Sequence, residues 1–181
     1  MPLDVSVVVG NPKVNSRTRT VAETFVEMLL EPESYRTDVI ELGGYAAEMA
    51  QWPAERVDRL NAQVAQSDLV VFASPTYKAT YTGLLKLFLD RYDTDGLDGV
   101  TAIPLHTGGG PTHAMGPTFT LAPLLMELGA TVPGRGLYVP MSELATLEDY
   151  LRGPVEQYAR NISRMSALAA AVQQPRAEGT E

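Results

Sequence analysis

Leu69-Val70-Val71-Phe72-Ala73 is followed, after a short loop, by Leu84, Leu85, Phe88, Leu89 and Tyr92 at helical spacing, and no other stretch constrains the fold as much. An apolar run of β-branched and aromatic residues without polar alternation is a strand buried on both faces, which places it inside a parallel sheet covered by helices. The segment predicts strand, tight loop and helix, half of a βαβ unit. The loop, Ser74-Pro75-Thr76-Tyr77-Lys78, packs a proline, a hydroxyl, an aromatic and a cation into four residues after Ser74. Loops leaving the carboxyl ends of parallel strands build the ligand site in open sheets, and a flat ligand with polar edges suits this one. Taken alone, the same residues also describe a strand-ending proline, a packed tyrosine and a solvated lysine.

The rest of the chain repeats the pattern. Val5 to Gly10 is a β-branched run stopping at a glycine, followed by Val21, Ala22, Phe25, Val26, Leu29 and Leu30 at helical spacing. Tyr35 to Ile40 alternates like an edge strand and is broken by Gly43-Gly44. A helix is predicted from Ala54 to Ser67 and a strand from Val100 to Leu105, where Pro104 removes one ladder donor. A further helix carries Phe119, Leu121, Leu124, Leu125 and Leu128 and ends at Gly129. A glycine-interrupted last strand spans Thr131 to Val139, and a final helix opens near Gly153-Pro154. Residues 1–172 read as one domain, and the polar stretch from Gln173 to Glu181 reads as a disordered tail. Strict alternation of strands and helices calls for an α/β fold, a five-stranded parallel sheet of flavodoxin-like order 2-1-3-4-5 with helices on both faces. That order opens a crevice between the first and third strands, where three unusual loops converge.

Composition narrows what such a crevice can do. A net charge of −8 argues against nucleic acid or an anionic membrane as the main partner. The absence of cysteine removes thiolate metal sites, cysteine nucleophiles and redox dithiols, so any redox chemistry belongs to a bound cofactor. The first residues carry no basic leader and no apolar run long enough for a membrane span, which points to the cytoplasm.

The first loop holds Asn11, then Ser16, Arg17 and Thr18 at a helix start, with Arg19 one residue on. Helix N-termini favour acidic side chains, so two arginines in the first turn argue for a bound anion; the competing reading is an N-cap with solvated arginines. Hydroxyls, guanidinium and exposed N–H groups together suit a phosphate monoester. The third loop, Thr107-Gly108-Gly109-Gly110, offers backbone that a flat ring can approach closely, or else a flexible turn. His106 and His113 flank it without a carboxylate cluster nearby in sequence, so no metal site is expected. No Gly-x-Ser-x-Gly elbow and no phosphate loop of the Gly-Lys-Ser type occurs.

Gly10-Asn11-Pro12 with Ser16-Arg17-Thr18, Ser74-Pro75-Thr76-Tyr77 with Gly83 and Leu85-Lys86 before Asp90, and Thr107-Gly108-Gly109 together resemble the NADPH-dependent FMN reductases of flavodoxin-like fold. Within that family the chain is most similar to the flavin reductases of two-component alkanesulfonate-type monooxygenase systems. The resemblance implies hydride transfer from NADPH or NADH to FMN, with no acid–base side chain required, and supply of reduced flavin to a partner monooxygenase. It implies FMN contacts from Asn11, Ser16, Arg17 and Thr18 at the phosphate, from Pro75, Thr76, Tyr77 and Lys78 along the isoalloxazine, and from Thr107, Gly108, Gly109 and Gly110 at its other edge. It also implies a homodimer or homotetramer formed through an inserted helical bulge, where Phe119 stands in place of the family's tyrosine. A quinone or azo reductase with retained FMN, or a flavodoxin-like electron carrier without turnover, would use the same loops.

Overall fold

The computed structural model describes residues 1–172; the expected tail lies outside the described residues. The elements are β1 (Leu3–Val9), α1 (Arg17–Leu29), β2 (Tyr35–Glu41), α2 (Ala46–Met49), α3 (Glu55–Val64), β3 (Leu69–Pro75), α4 (Gly83–Leu89), β4 (Thr101–Gly108), α5 (Ala122–Glu127), β5 (Leu137–Pro140) and α6 (Leu147–Ala169). All strands are parallel and the sheet runs β2-β1-β3-β4-β5, the order expected from the alternation.

Side chains alternate across the sheet and divide the core in two. Val8, Val70, Phe72 and Ala102 face α2 to α5, packing on Met49, Val57, Val64, Leu85, Phe88, Leu89 and Leu125. Val5, Val7, Val9, Val71, Ala73, Ile103 and Leu105 face α1 and α6, packing on Val21, Phe25, Val26, Leu151 and Tyr158. Each fully buried Phe or Leu contributes about 1.5–3 kcal/mol, so the two layers hold the fold and the strand ends are left to polar groups.

Three expectations change. The last strand shrinks to Leu137–Pro140, with Thr131 making only an isolated bridge to Thr101, because Pro133, Gly134 and Gly136 cannot sustain a ladder. Pro104 costs β4 no bond to β3. Thr101 donates to Asp68 and Ala102 to Thr131, so even-numbered residues of β4 turn their N–H away from β3, and Pro104 falls in the gap before β5 pairing begins at Leu105. The final helix begins at Leu147 rather than near Pro154, which lies inside it. Burial of Leu147, Leu151 and Tyr158 against α1 and the sheet outweighs the one backbone bond that Pro154 forfeits.

The segment after the third loop is a π-helical turn, Pro117–Leu121, running into α5. Ala122 N–H reaches back to the Pro117 carbonyl, and the extra residue in the turn rotates Phe119 outward, 69% exposed, while Leu121 stays buried. On the same face of the sheet, Thr82 caps α4 through Leu85 N–H at 3.2 Å and donates to the Gly10 carbonyl at 2.6 Å, tying α4 to the end of β1. Both bonds are buried. Thr82→Val should lower the unfolding free energy by about 2 kcal/mol in urea denaturation, and Thr82→Ser should restore most of it.

Candidate functional site

At the carboxyl edge, a cavity of about 660 Å³ opens between the loop after β1, the loop after β3 and the end of β4. Ten of the twelve residues singled out in the sequence line it: Asn11, Ser16, Arg17, Thr18, Pro75, Thr76, Tyr77, Thr107, Gly108 and Gly109. The walls are pinned to one another. Thr18 Oγ1 and Thr107 Oγ1 lie 2.8 Å apart in the buried floor, Asn11 Nδ2 donates to Thr18 Oγ1 at 3.3 Å, and Thr76 N–H donates to the Thr107 carbonyl at 2.7 Å. The floor is therefore shaped before any ligand arrives.

The first loop ends in Ser16, the N-cap of α1, whose hydroxyl accepts the Arg19 N–H at 3.4 Å. Its first turn carries no acidic residue. Arg17 lines the cavity and makes no ion pair among the described residues. Arg19 does not join it. Its guanidinium lies between Glu23 and Glu41, at 3.0 and 2.9 Å, and hydrogen bonds to Glu23 and then Glu41 raise its pKa further. Lys13 enters the lining instead, its backbone N–H donating to Asn11 Oδ1 at 2.9 Å, and among the described residues no carboxylate lines the cavity. This edge fits a phosphate: the helix dipole, free N–H groups and two cations act together without an opposing charge.

The far edge fits a flat ring. A side chain added at Gly109 would meet nothing within 4 Å, so a ligand can lie against bare backbone there. Gly108 is constrained on its other side, since a Cβ would come 2.1 Å from the Tyr138 hydroxyl. Gly110 is absent from the lining because its carbonyl accepts the Tyr138 O–H. Lys78 is also outside. Tyr77 and Thr80 exchange backbone bonds of 2.9 and 3.2 Å, closing a tight turn with Lys78 at φ +51° and Ala79 at φ +72° that carries the lysine away from the cavity. Tyr77 remains half exposed at the mouth.

Pro12, Lys13, Asn15 and Met141 line the cavity without having been singled out. Lys13 was legible as a cation within the first loop. Met141 was not, although it follows β5 at the same edge and the topology alone would have admitted it.

His106 is fully buried on the opposite sheet face from Thr107, beside Tyr81, with both ring nitrogens unpartnered among the described residues. Burial lowers its pKa to about 4. Gly116 approaches it closely, since a Cβ there would lie 3.2 Å from Nδ1. His113 sits in a short turn after the glycines, and among the described residues no cluster of ligands is arranged for a metal ion.

The family model for NADPH-dependent FMN reductase matches residues 3–143. The chain is 29% identical over 160 residues to an FMN reductase (NADPH) of Escherichia coli (strain K12), spanning 87% of this chain and 81% of the relative. It is 30% identical over 149 residues to the NADH-dependent FMN reductase SfnE of Pseudomonas putida, spanning 80% of each. Among solved structures it superimposes on an apo-form NADH:FMN oxidoreductase (EMOB) with a TM-score of 0.76 and 25% identity, covering 89% of both chains.

Neutral His106 sets an acid limit on stability. The unfolded chain takes up a proton near pH 6.5, while the folded imidazole resists it down to about pH 4. Stability is complete above 6.5 and falls as pH drops toward 4, because only the unfolded state gains the proton in that window. In urea titrations, the loss of unfolding free energy from pH 7 to pH 5 should be about 2 kcal/mol smaller in His106→Ala than in the unmodified protein.

Proposed function

The chain belongs to the NADPH-dependent FMN reductase family, and on that premise we propose that the cavity between β1, β3 and β4 holds FMN with its phosphate on the first turn of α1. The protein is an NAD(P)H:FMN oxidoreductase of flavodoxin-like fold. One observation carries the site assignment: a lining with Lys13 and Arg17, no carboxylate among the described residues, and a helix N-terminus at one end, facing bare glycine backbone at the other.

When both are bound, reduced nicotinamide supplies a hydride and the flavin accepts it, so the protein need supply no nucleophile or acid–base side chain. Its residues position and stabilise. Ser16, Thr18 and the N–H groups of the first turn of α1 hold the phosphate, with Arg17 and Lys13 balancing its charge. Pro75, Thr76 and Tyr77 form one wall of the ring slot. Backbone N–H groups near Gly108 and Gly109 would serve as fixed dipoles for the negative charge of a reduced ring, since fixed donors need no reorganisation. The donor is NADPH or NADH, the reductants named for its relatives. The family resemblance supports a flavin-dependent monooxygenase as consumer of the reduced flavin and the cytoplasm as the place of action; among the described residues no helix is long and apolar enough to cross a membrane.

Assembly into dimers or tetramers is part of the same reading. Met115, Phe119 and Met126 expose 45%, 69% and 61% of their surface around the π-helical turn, and Leu87 of α4 exposes 40%, while Leu85, Phe88, Leu121 and Leu125 take the core. These helices are apolar on two sides, and the spare side supports packing against a second copy. Phe119→Asp should leave a folded protein of smaller mass by light scattering; loss of the fold, or an unmodified protein that already runs at 19.6 kDa, would refute this.

Arg17→Ala and Ser16→Ala should each weaken FMN binding roughly tenfold while riboflavin, which lacks the phosphate, binds as before. Flavin fluorescence titration reads both. Equal FMN affinity in variants and parent would overturn the phosphate assignment. Steady NADPH or NADH oxidation with added FMN, by protein purified without bound flavin, distinguishes a released substrate from a retained group.

A further inference from the structure

The phosphate loop is held from behind by the end of β2. Glu41 is the last residue of that edge strand and lies opposite Val9, the last residue of β1. Its Oε1 accepts the Asn15 N–H at 2.6 Å, and its Oε2 accepts Arg19 Nη1 at 2.9 Å. Arg19 completes the ring, donating through Nε and Nη2 to Glu23 at 3.0 and 3.1 Å and through Nη1 to Asn15 Oδ1 at 3.3 Å. Asn15 stands at φ +51°, in the left-handed region, directly before the N-cap Ser16. Two residues beyond Glu41, a Cβ at Gly43 would fall 2.6 Å from the Pro12 carbonyl oxygen and 2.9 Å from that of Asn11. One strand end thus templates both halves of the loop.

We infer that Glu41 is a positioning residue for the phosphate cradle: its carboxylate fixes Asn15 in the conformation that aims the first turn of α1 into the cavity, and Arg19, shared with Glu23, offsets part of its charge. This rests on the FMN reading of the cavity. The geometry resolves a conflict, since a bare carboxylate one residue from a phosphate site would repel the ligand. Arg19 is spent on the two carboxylates Glu23 and Glu41, and the cavity takes its cations from Lys13 and Arg17. A left-handed residue costs conformational energy, and a side chain that accepts its N–H holds it there in the absence of ligand. Glu41 lies outside the cavity lining. It acts through Asn15.

The test compares FMN with riboflavin in three proteins, the unmodified chain, Glu41→Ala and Glu41→Gln, by fluorescence titration alongside a thermal melt. Glu41→Ala removes the acceptor and should weaken FMN binding about tenfold while riboflavin affinity holds within about twofold. Glu41→Gln keeps an oxygen for the Asn15 N–H and removes the charge, so FMN affinity should stay within about threefold of the parent. A purely structural role would weaken both flavins together, and that outcome overturns the inference, as does unchanged FMN affinity in Glu41→Ala. Should Glu41→Ala not fold, Glu41→Gln decides: a tenfold FMN loss there, with the melt unchanged, shows that charge rather than the Asn15 bond is at work and overturns the assignment. Unmodified protein that binds FMN no better than riboflavin overturns the phosphate reading and this inference with it.

Discussion

The site depends on a reversal in how the chain leaves the sheet. From β1 the chain crosses outward to β2, and from β3 it proceeds the other way to β4 and β5, so the loops after β1 and β3 diverge over adjacent strand ends. A gap at that edge is unavoidable, because the two connections cover opposite sheet faces with α1 on one and α4 on the other. Hydrophobic burial fixes the gap's position: Val7, Val8, Val71 and Phe72 are fully buried, and shifting either strand by one residue would turn each to the wrong face.

Burial does not shape the gap. At the strand ends the core runs out, and a set of short polar bonds takes over: Thr18 to Thr107, Asn11 to Thr18, Thr76 to Thr107, Thr82 to Gly10 and Glu41 to Asn15. Each contributes on the order of 1 kcal/mol to stability, which is modest beside the apolar layers. Their effect on ligand affinity is larger than that, since a cradle already in its bound geometry need not be ordered when the ligand arrives. Among the described residues the two cations of the cavity make no ion pair, and the nearby carboxylates Glu23 and Glu41 are committed to Arg19.

Much of this was legible in the residues. Parallel strands buried on both faces announce themselves as runs such as Val5 to Val9, and Ser16 marks a helix start beside Arg17 and Thr18, so the five-strand order followed from pattern and spacing, and ten residues of the lining from those loops together with the family resemblance. What was misread shares one cause. Pro154 looked like a helix start, Thr131 like part of a strand, and Arg19 like a phosphate ligand, because local propensity is all that a window of sequence exposes. For the helix and the arginine a partner distant in the chain decided otherwise, α1 for the first and Glu41 for the second, whereas Pro133, Gly134 and Gly136 ended the strand locally.

The sequence by itself determined the layered architecture and the chemistry of the crevice, because hydrophobic period and residue type act within a few neighbours and need no knowledge of the rest of the chain. Only the tertiary structure decided which cation faces the cavity, what the Gly110 carbonyl bonds to, and what holds Asn15 in place. Those outcomes turn on hydrogen bonds such as Glu41 to Arg19 and Tyr138 to Gly110, which span more than twenty residues and depend on angle and distance that no local pattern encodes.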